Sequence, residues 1–211
     1  MILYLLIFNL LFSNAFNIKF NNWFDLNSNL KNKARNWFIQ RAEKKGISWN
    51  LYKNQYIDNA DDIFLIKDLT SNNFLYYPDY YKKPFHGYDN GNLNWDAAFE
   101  GVGATLSMSS NYWIDINPKQ SHSWLRNNYT NNIKDYYSNL NKSTDSLNIL
   151  DVGCSVGIST ESLYRKLKPN KITGIDLSPF FIAISKFRAS KQNLPIIYEH
   201  NNAEYLPFKN K

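Results

Sequence analysis

Cysteine is nearly missing from this chain. Among 211 residues there is one, Cys154, so no intramolecular disulfide can form. A small secreted domain would more often carry paired cysteines, and a lone thiol suits an organelle interior better. Cys154 has no evident His or acid partner in the sequence, so it is read as a packing residue and not as a nucleophile. The chain is also poor in glycine and proline, with 8 and 7. Its composition is globular, and its length allows one domain with a real core. No internal repeat is apparent, and no metal ligands are assigned. The formal net charge is +6, but no basic-aromatic strand pattern accompanies it. Much of the excess sits near the N-terminus and reads as a solvated basic leader rather than an RNA-binding arm.

Long apolar runs are lacking except at the start. Met1 to Phe12 is apolar apart from Asn9. That run is too short for a comfortable membrane span and about the length of a signal-peptide core, although it lacks the usual positive start. Ser13-Asn14-Ala15 supplies small residues before Phe16. Residues 1–15 are therefore read as a signal sequence, with a membrane anchor at 2–12 or an ordinary buried segment as alternatives. Residues 16–35 are basic and rich in Asn and Lys, with one acid, Asp25. The two segments together resemble the leader of proteins sent to plastids bounded by extra membranes. A plastid address is the expectation; the secretory pathway or membrane anchoring is the alternative.

Residues 36–145 read as a helical and aromatic N-terminal cap. Leu30, Ala34, Trp37, Phe38 and Ala42 share one side of a helix from about Ser28 to Lys45, which Gly46 ends. Ser48–Tyr56 and Asp61–Leu69 read as two short helices. Tyr76 to Gly91 is a loop broken by Pro78 and Pro84 and crowded with aromatics. It either packs over a sheet or walls a pocket, with His86 and Tyr88 as the groups to watch. A further helix opens near Asn94 and carries Trp95, Ala98, Phe99, Val102 and Leu106 on one face. Gly101 and Gly103 predict a bend or close packing there. Trp124, Leu125, Tyr129, Ile133, Tyr136 and Tyr137 mark another helix.

The centre of the sequence is Asn148 to Gly157. Asn148-Ile149-Leu150-Asp151-Val152 reads as a buried strand ending on a carboxylate. Gly153 and Gly157 frame a tight turn, and Ser159 and Thr160 read as N-cap residues of a following helix. Such a turn lets a ligand approach backbone N–H groups at a helix start. Lys171 to Ile175 is a second strand, ending on Asp176. That acid lies about twenty residues beyond the glycines, where a parallel nucleotide-binding fold holds ribose hydroxyls. Pro179 suits the first turn of the next helix, and Leu194 to Tyr198 reads as a third strand.

The runs ILDVGCSVGIST, ITGIDLSP and NNAEYLPF resemble the opening half of a class I S-adenosylmethionine-dependent methyltransferase. The resemblance implies an α/β, Rossmann-like domain at 146–211 with S-adenosyl-L-methionine as cofactor and a methyl acceptor that remains unknown. It implies that Asp151, Gly153, Cys154, Ser155 and Gly157 hold the methionine part. Asp176 would bind the ribose diol, Leu177 would lie beside the adenine, and Asn202 and Ala203 would meet its edge. Ser155 stands where a glycine is common, and Asn202 where Asp is usual; an amide still donates and accepts. No catalytic residue follows. A second resemblance, from Tyr76 through Glu100, is to the segment preceding the core in a methyltransferase family with plastid-type and cyanobacterial-type members. Only strands of the order 3-2-1 are expected, as the first half of a seven-stranded sheet, so a fragment is expected. An adenosyl-binding or interaction module without catalysis is the alternative.

Two other chemistries share these residues. Gly153-Cys-Ser155-Val-Gly157 matches the nucleophile elbow of α/β-hydrolases, and Ser155, Asp176 and His200 follow in triad order. Their spacings are too short, and that reading leaves Asp151 unexplained. A nicotinamide-dependent dehydrogenase is disfavoured because the turn is not Gly-x-Gly-x-x-Gly.

Overall fold

The computed structural model describes residues 28–206, apart from 86 and 114. The signal reading, most of the leader reading and His86 lie outside the described residues. Among these residues five helices come first: α1 (Ser28–Lys44), α2 (Trp49–Ile57), α3 (Ala60–Thr70), α4 (Trp95–Ser109) and α5 (Pro118–Asn139). An alternating unit follows: β1 (Asn148–Val152), α6 (Ile158–Leu167), β2 (Lys171–Asp176), α7 (Pro179–Lys191) and β3 (Ile197–His200). The three strands are parallel in the order β1-β2-β3. Register sets Asp151 against Gly174 and Asp176 against His200. Both carboxylates therefore emerge at one end of the sheet, where open parallel sheets place ligands.

Local rules explain most element boundaries. Asn94 caps α4 by accepting from the Ala97 N–H at 2.8 Å, and Asn117 caps α5 with Pro118 behind it. Ser178 caps α7, again ahead of a proline. Two glycines in α4 serve close packing. A Cβ on Gly101 would sit 2.7 Å from the Val156 side chain, and one on Gly103 would sit 2.6 Å from the Trp49 ring. The main core joins both halves of the chain, with Ile63, Ala98, Phe99 and Val102 packing with Val156, Ile184 and Phe187.

Two buried ion clusters fasten the layers. Glu100 on α4 is almost fully buried. It accepts from Lys53 Nζ at 2.9 Å, from Tyr88 Oη at 2.6 Å and from the Arg35 guanidinium. This ties α1, α2 and the α3–α4 loop to α4. Arg188 donates two bonds of 2.8 Å to Glu161 and one of 3.0 Å to the Tyr56 hydroxyl, tying α7, α6 and α2. A buried charge needs this full set of partners to be tolerated.

Five local expectations change. β1 is not a buried strand: none of its residues is fully covered, and Val152 is 41% exposed. Trp37 and Phe38 do not lie on the buried side of α1; Trp37 is 55% exposed. The inward side is Arg35, Ile39 and Ala42, spaced by four and three. The third strand starts at Ile197, not Leu194. The Leu194 N–H instead bonds the Ala189 carbonyl at 2.9 Å and closes the end of α7. Ser159 and Thr160 do not cap α6, which starts at Ile158 behind Gly157. Tyr88 points to Glu100 and not toward the ends of the strands. No helix among the described residues is long and apolar enough to cross a membrane.

Candidate functional site

The turn after β1 holds three left-handed residues, Gly153 (φ +73), Ser155 (φ +50) and Gly157 (φ +85). It is fixed from below. The N–H groups of Gly153 and Cys154 both donate to the Ile175 carbonyl, at 2.8 and 3.0 Å. Cys154 is buried among Ile182, Ala189 and Tyr198, a packing position. Gly157 is required twice over. Its φ disfavours a side chain, and a Cβ there would lie 2.5 Å from the Tyr198 hydroxyl. A Cβ on Gly153 would meet nothing within 4 Å, so this part of the backbone stays approachable.

Asp151 is the next-to-last residue of β1, under the turn. Its Oδ2 accepts from Ser159 Oγ at 2.8 Å and Thr160 Oγ1 at 2.6 Å. The two expected N-cap hydroxyls thus turn back to the carboxylate. Burial raises the Asp151 pKa; Thr160, Ser159 and the charge of Arg126 oppose that rise. Asp176 ends β2 and is buried. Its Oδ2 accepts from the Ser155 N–H at 2.9 Å, and its Oδ1 from the Ser178 N–H at 2.8 Å. Burial raises its pKa as well, against those two backbone bonds and the Tyr81 hydroxyl. The two acids therefore bracket the glycine turn, each held by donors that favour its charged form.

The α3–α4 loop lies over the strand ends. Tyr81 Oη donates to Asp176 Oδ1 at 3.3 Å. Tyr80 Oη donates to Glu204 at 2.6 Å, and Asn202 Nδ2 donates to the Tyr76 carbonyl at 3.2 Å. The Asn92 carbonyl accepts from Ser178 Oγ at 2.7 Å. His200 is gripped on both nitrogens. Its Nδ1 accepts from the Asn72 N–H at 2.8 Å, which puts the proton on Nε2, 3.0 Å from the Leu177 carbonyl and 2.9 Å from Tyr77 Oη. Burial lowers its pKa, consistent with a neutral ring.

The residues named from sequence gather as follows. Asp151, Gly153, Cys154, Ser155 and Gly157 form the turn, and Asp176 and Leu177 flank it at the end of β2. Asn202 and Ala203 follow β3; Asn202 is buried and Ala203 exposed. The Asn202 Oδ1 already accepts from the Glu204 N–H at 2.8 Å. Ser155, Asp176 and His200 do not assemble as a relay, because Asn72, Leu177 and Tyr77 occupy the imidazole nitrogens. Among the described residues no group of three or more His, Cys, Asp or Glu could hold a metal.

Sequence reasoning missed Tyr81, Tyr76, Tyr80 and Arg126. The aromatic density of the loop was a signal for the tyrosines. For Arg126 there was none, since a lone arginine within a helix reads as a solvated side chain.

The model of a family described as a methyltransferase domain matches residues 149–211. Among curated proteins none matches the chain. The matched segment begins in β1 and takes in the glycine turn, both later strands and every site residue expected from the sequence. A small parallel sheet with helices between its strands is consistent with an α/β, Rossmann-like domain of that kind.

Proposed function

We propose, from the methyltransferase likeness of residues 149–211, that this protein transfers a methyl group from S-adenosylmethionine bound on the turn between β1 and α6. One observation carries the reading: two carboxylates, the half-buried Asp151 and the buried Asp176, stand at the same ends of adjacent strands with a left-handed glycine turn between them. The residues suit that cofactor. It has an α-amino-acid end, which Asp151 and the open backbone at Gly153 would hold. It has a ribose diol, which Asp176 would accept, and an adenine, which Leu177, Asn202 and Ala203 would flank.

When bound, S-adenosylmethionine supplies a methyl group on a sulfonium, a reactive electrophile with a neutral sulfide as leaving group. The contribution of the chain is placement and exclusion of water. Gly157 fixes the start of α6 against Tyr198, so the turn cannot drift. Buried Asp176 orders both the turn, through Ser155, and the start of α7, through Ser178. No residue of the chain is asked to move a proton unless the acceptor must lose one.

Calorimetric titration of S-adenosylhomocysteine into the 211-residue chain tests the reading. One-to-one binding is expected, weakened at least tenfold in Asp176→Ala, where ligand hydroxyls lose a charged acceptor. A folded chain that takes up no ligand refutes it. A second reading, an adenosyl-binding module without catalysis, draws on the loop that already occupies Asp176 and Asn202. Binding without turnover of radiolabelled S-adenosylmethionine, across acceptors presented in extracts, would favour that reading.

A further inference from the structure

Two partly buried arginines differ. Arg188 is fully engaged by Glu161 and Tyr56. The Arg126 guanidinium makes no hydrogen bond with any described residue, and its Nε–H is buried without a partner. Native proteins seldom leave such a group unsatisfied, and each instance asks for an explanation. Burial lowers the Arg126 pKa, and the charge of Asp151 opposes this.

The position of Arg126 is as telling as its lack of partners. His122, Arg126 and Tyr129 are spaced by four and three, so they share one side of α5. That side faces the first strand: Tyr129 and Ile133 pack on the cluster of Leu163, Leu167 and Ile172, as Ile149 of β1 does, and burial and then the Asp151 charge push the Tyr129 phenol up to about 12. His122 adds no compensating charge. Its Nδ1 lies 3.0 Å from Ser109 Oγ, and burial brings its pKa down to about 4. Asp151 takes both of its hydroxyl bonds on Oδ2, so Oδ1 keeps accepting capacity. A cation with an unused buried Nε donor therefore stands within reach of the charge of Asp151, whose Oδ1 takes neither hydroxyl bond, at the foot of the glycine turn.

We propose that Arg126 receives the carboxylate of an α-amino-acid group on the bound ligand, while Asp151 takes its ammonium. The pair makes the site selective for adenosyl ligands that carry an intact amino-acid end. This rests on the proposed adenosyl ligand, and it adds a specificity residue from outside the matched segment. A guanidinium can hold a carboxylate with two parallel bonds, which an ammonium cannot copy.

Three ligands titrated into the full chain separate the roles. S-Adenosylhomocysteine carries both charged groups. S-Adenosyl-3-thiopropylamine keeps the amine and lacks the carboxylate. 5′-Methylthioadenosine lacks both. The wild type should prefer the first over the second by about tenfold to a hundredfold. Arg126→Met should abolish that preference and leave 5′-methylthioadenosine binding unchanged, with Arg126→Lys in between. Circular dichroism checks that each variant folds, and the ligand preference of the wild type is a test that needs no variant. Equal loss for both amine-bearing ligands in Arg126→Met would mean that Arg126 only supports Asp151, and would overturn the proposal. So would equal wild-type affinity for those two ligands. Failure of a folded wild type to bind any of the three would instead remove the adenosyl reading, and this inference with it.

Discussion

Replacing Tyr81 by Phe removes one hydroxyl and keeps the ring that fills the loop. In the wild type that hydroxyl donates to Asp176 Oδ1 at 3.3 Å. Burial and then the Asp176 charge push the phenol pKa upward, so it remains a donor across the working pH range. Bonds to charged groups contribute about 1.5–3 kcal/mol when well formed. This one is longer than the usual limit of about 3.0 Å for O–H···O, so about 1 kcal/mol is appropriate. If ribose hydroxyls take the same oxygen, the ligand must first displace Tyr81. The variant then no longer spends that energy on opening. S-Adenosylhomocysteine should bind Tyr81→Phe about fivefold more tightly. The free protein should melt about 2–4 °C lower, having lost the same bond. Calorimetry and thermal denaturation on one preparation give both numbers. Lower stability with unchanged or weaker affinity would refute the reasoning, because Tyr81 would then not stand in the path of the ligand.

Three further predictions concern the framework. Gly157→Ala should destabilise by about 2 kcal/mol or more, from backbone strain plus contact with Tyr198, while Gly153→Ala should cost about 1 kcal/mol from strain alone; urea unfolding measures the difference. Glu100→Ala should cost about 3–5 kcal/mol, because Arg35 and Lys53 would lose the buried anion between them, whereas Lys53→Ala should cost less in the same assay. His122 should couple stability to pH: its folded pKa of about 4 lies below its unfolded value of about 6.5. The unfolded chain then binds more protons between those values, so this contribution is complete above about pH 6.5 and fades as pH falls toward 4. Asp151 and Asp176, with raised pKa values, act in the opposite sense, so the measurement is the difference in melting profile between wild type and His122→Gln.

The glycine turn was legible because its causes are local. An apolar run, a carboxylate and two glycines within ten residues leave few ways to fold. The same residue types also misled. Ser and Thr serve as helix caps and as donors to a neighbouring carboxylate, and only the exit of the chain at Gly157 decides between the roles. Leu194-Pro-Ile-Ile looks like a strand by composition, yet the Leu194 N–H is used to close α7 and Pro195 has none to give. Trp37 and Phe38 read as core because a helix alone does not say where its neighbours stand. The polar Arg35 took the inward side, drawn by Glu100 65 residues away. Tyr81 and Asp176, 95 residues apart, meet through the packing of α3 on α7, which no local pattern encodes.

The α3–α4 loop is moored at both ends of its span. Tyr81 holds Asp176 at the sheet, and Tyr88 holds Glu100 in the helical layer. In thermodynamic terms the two moorings are linked, and linkage is reciprocal. If lifting Tyr81 strains the Tyr88 anchor, breaking that anchor lends binding the same free energy. On the proposed adenosyl reading, affinity at the glycine turn would then answer in part to Arg35 of α1 and Lys53 of α2, which hold Glu100.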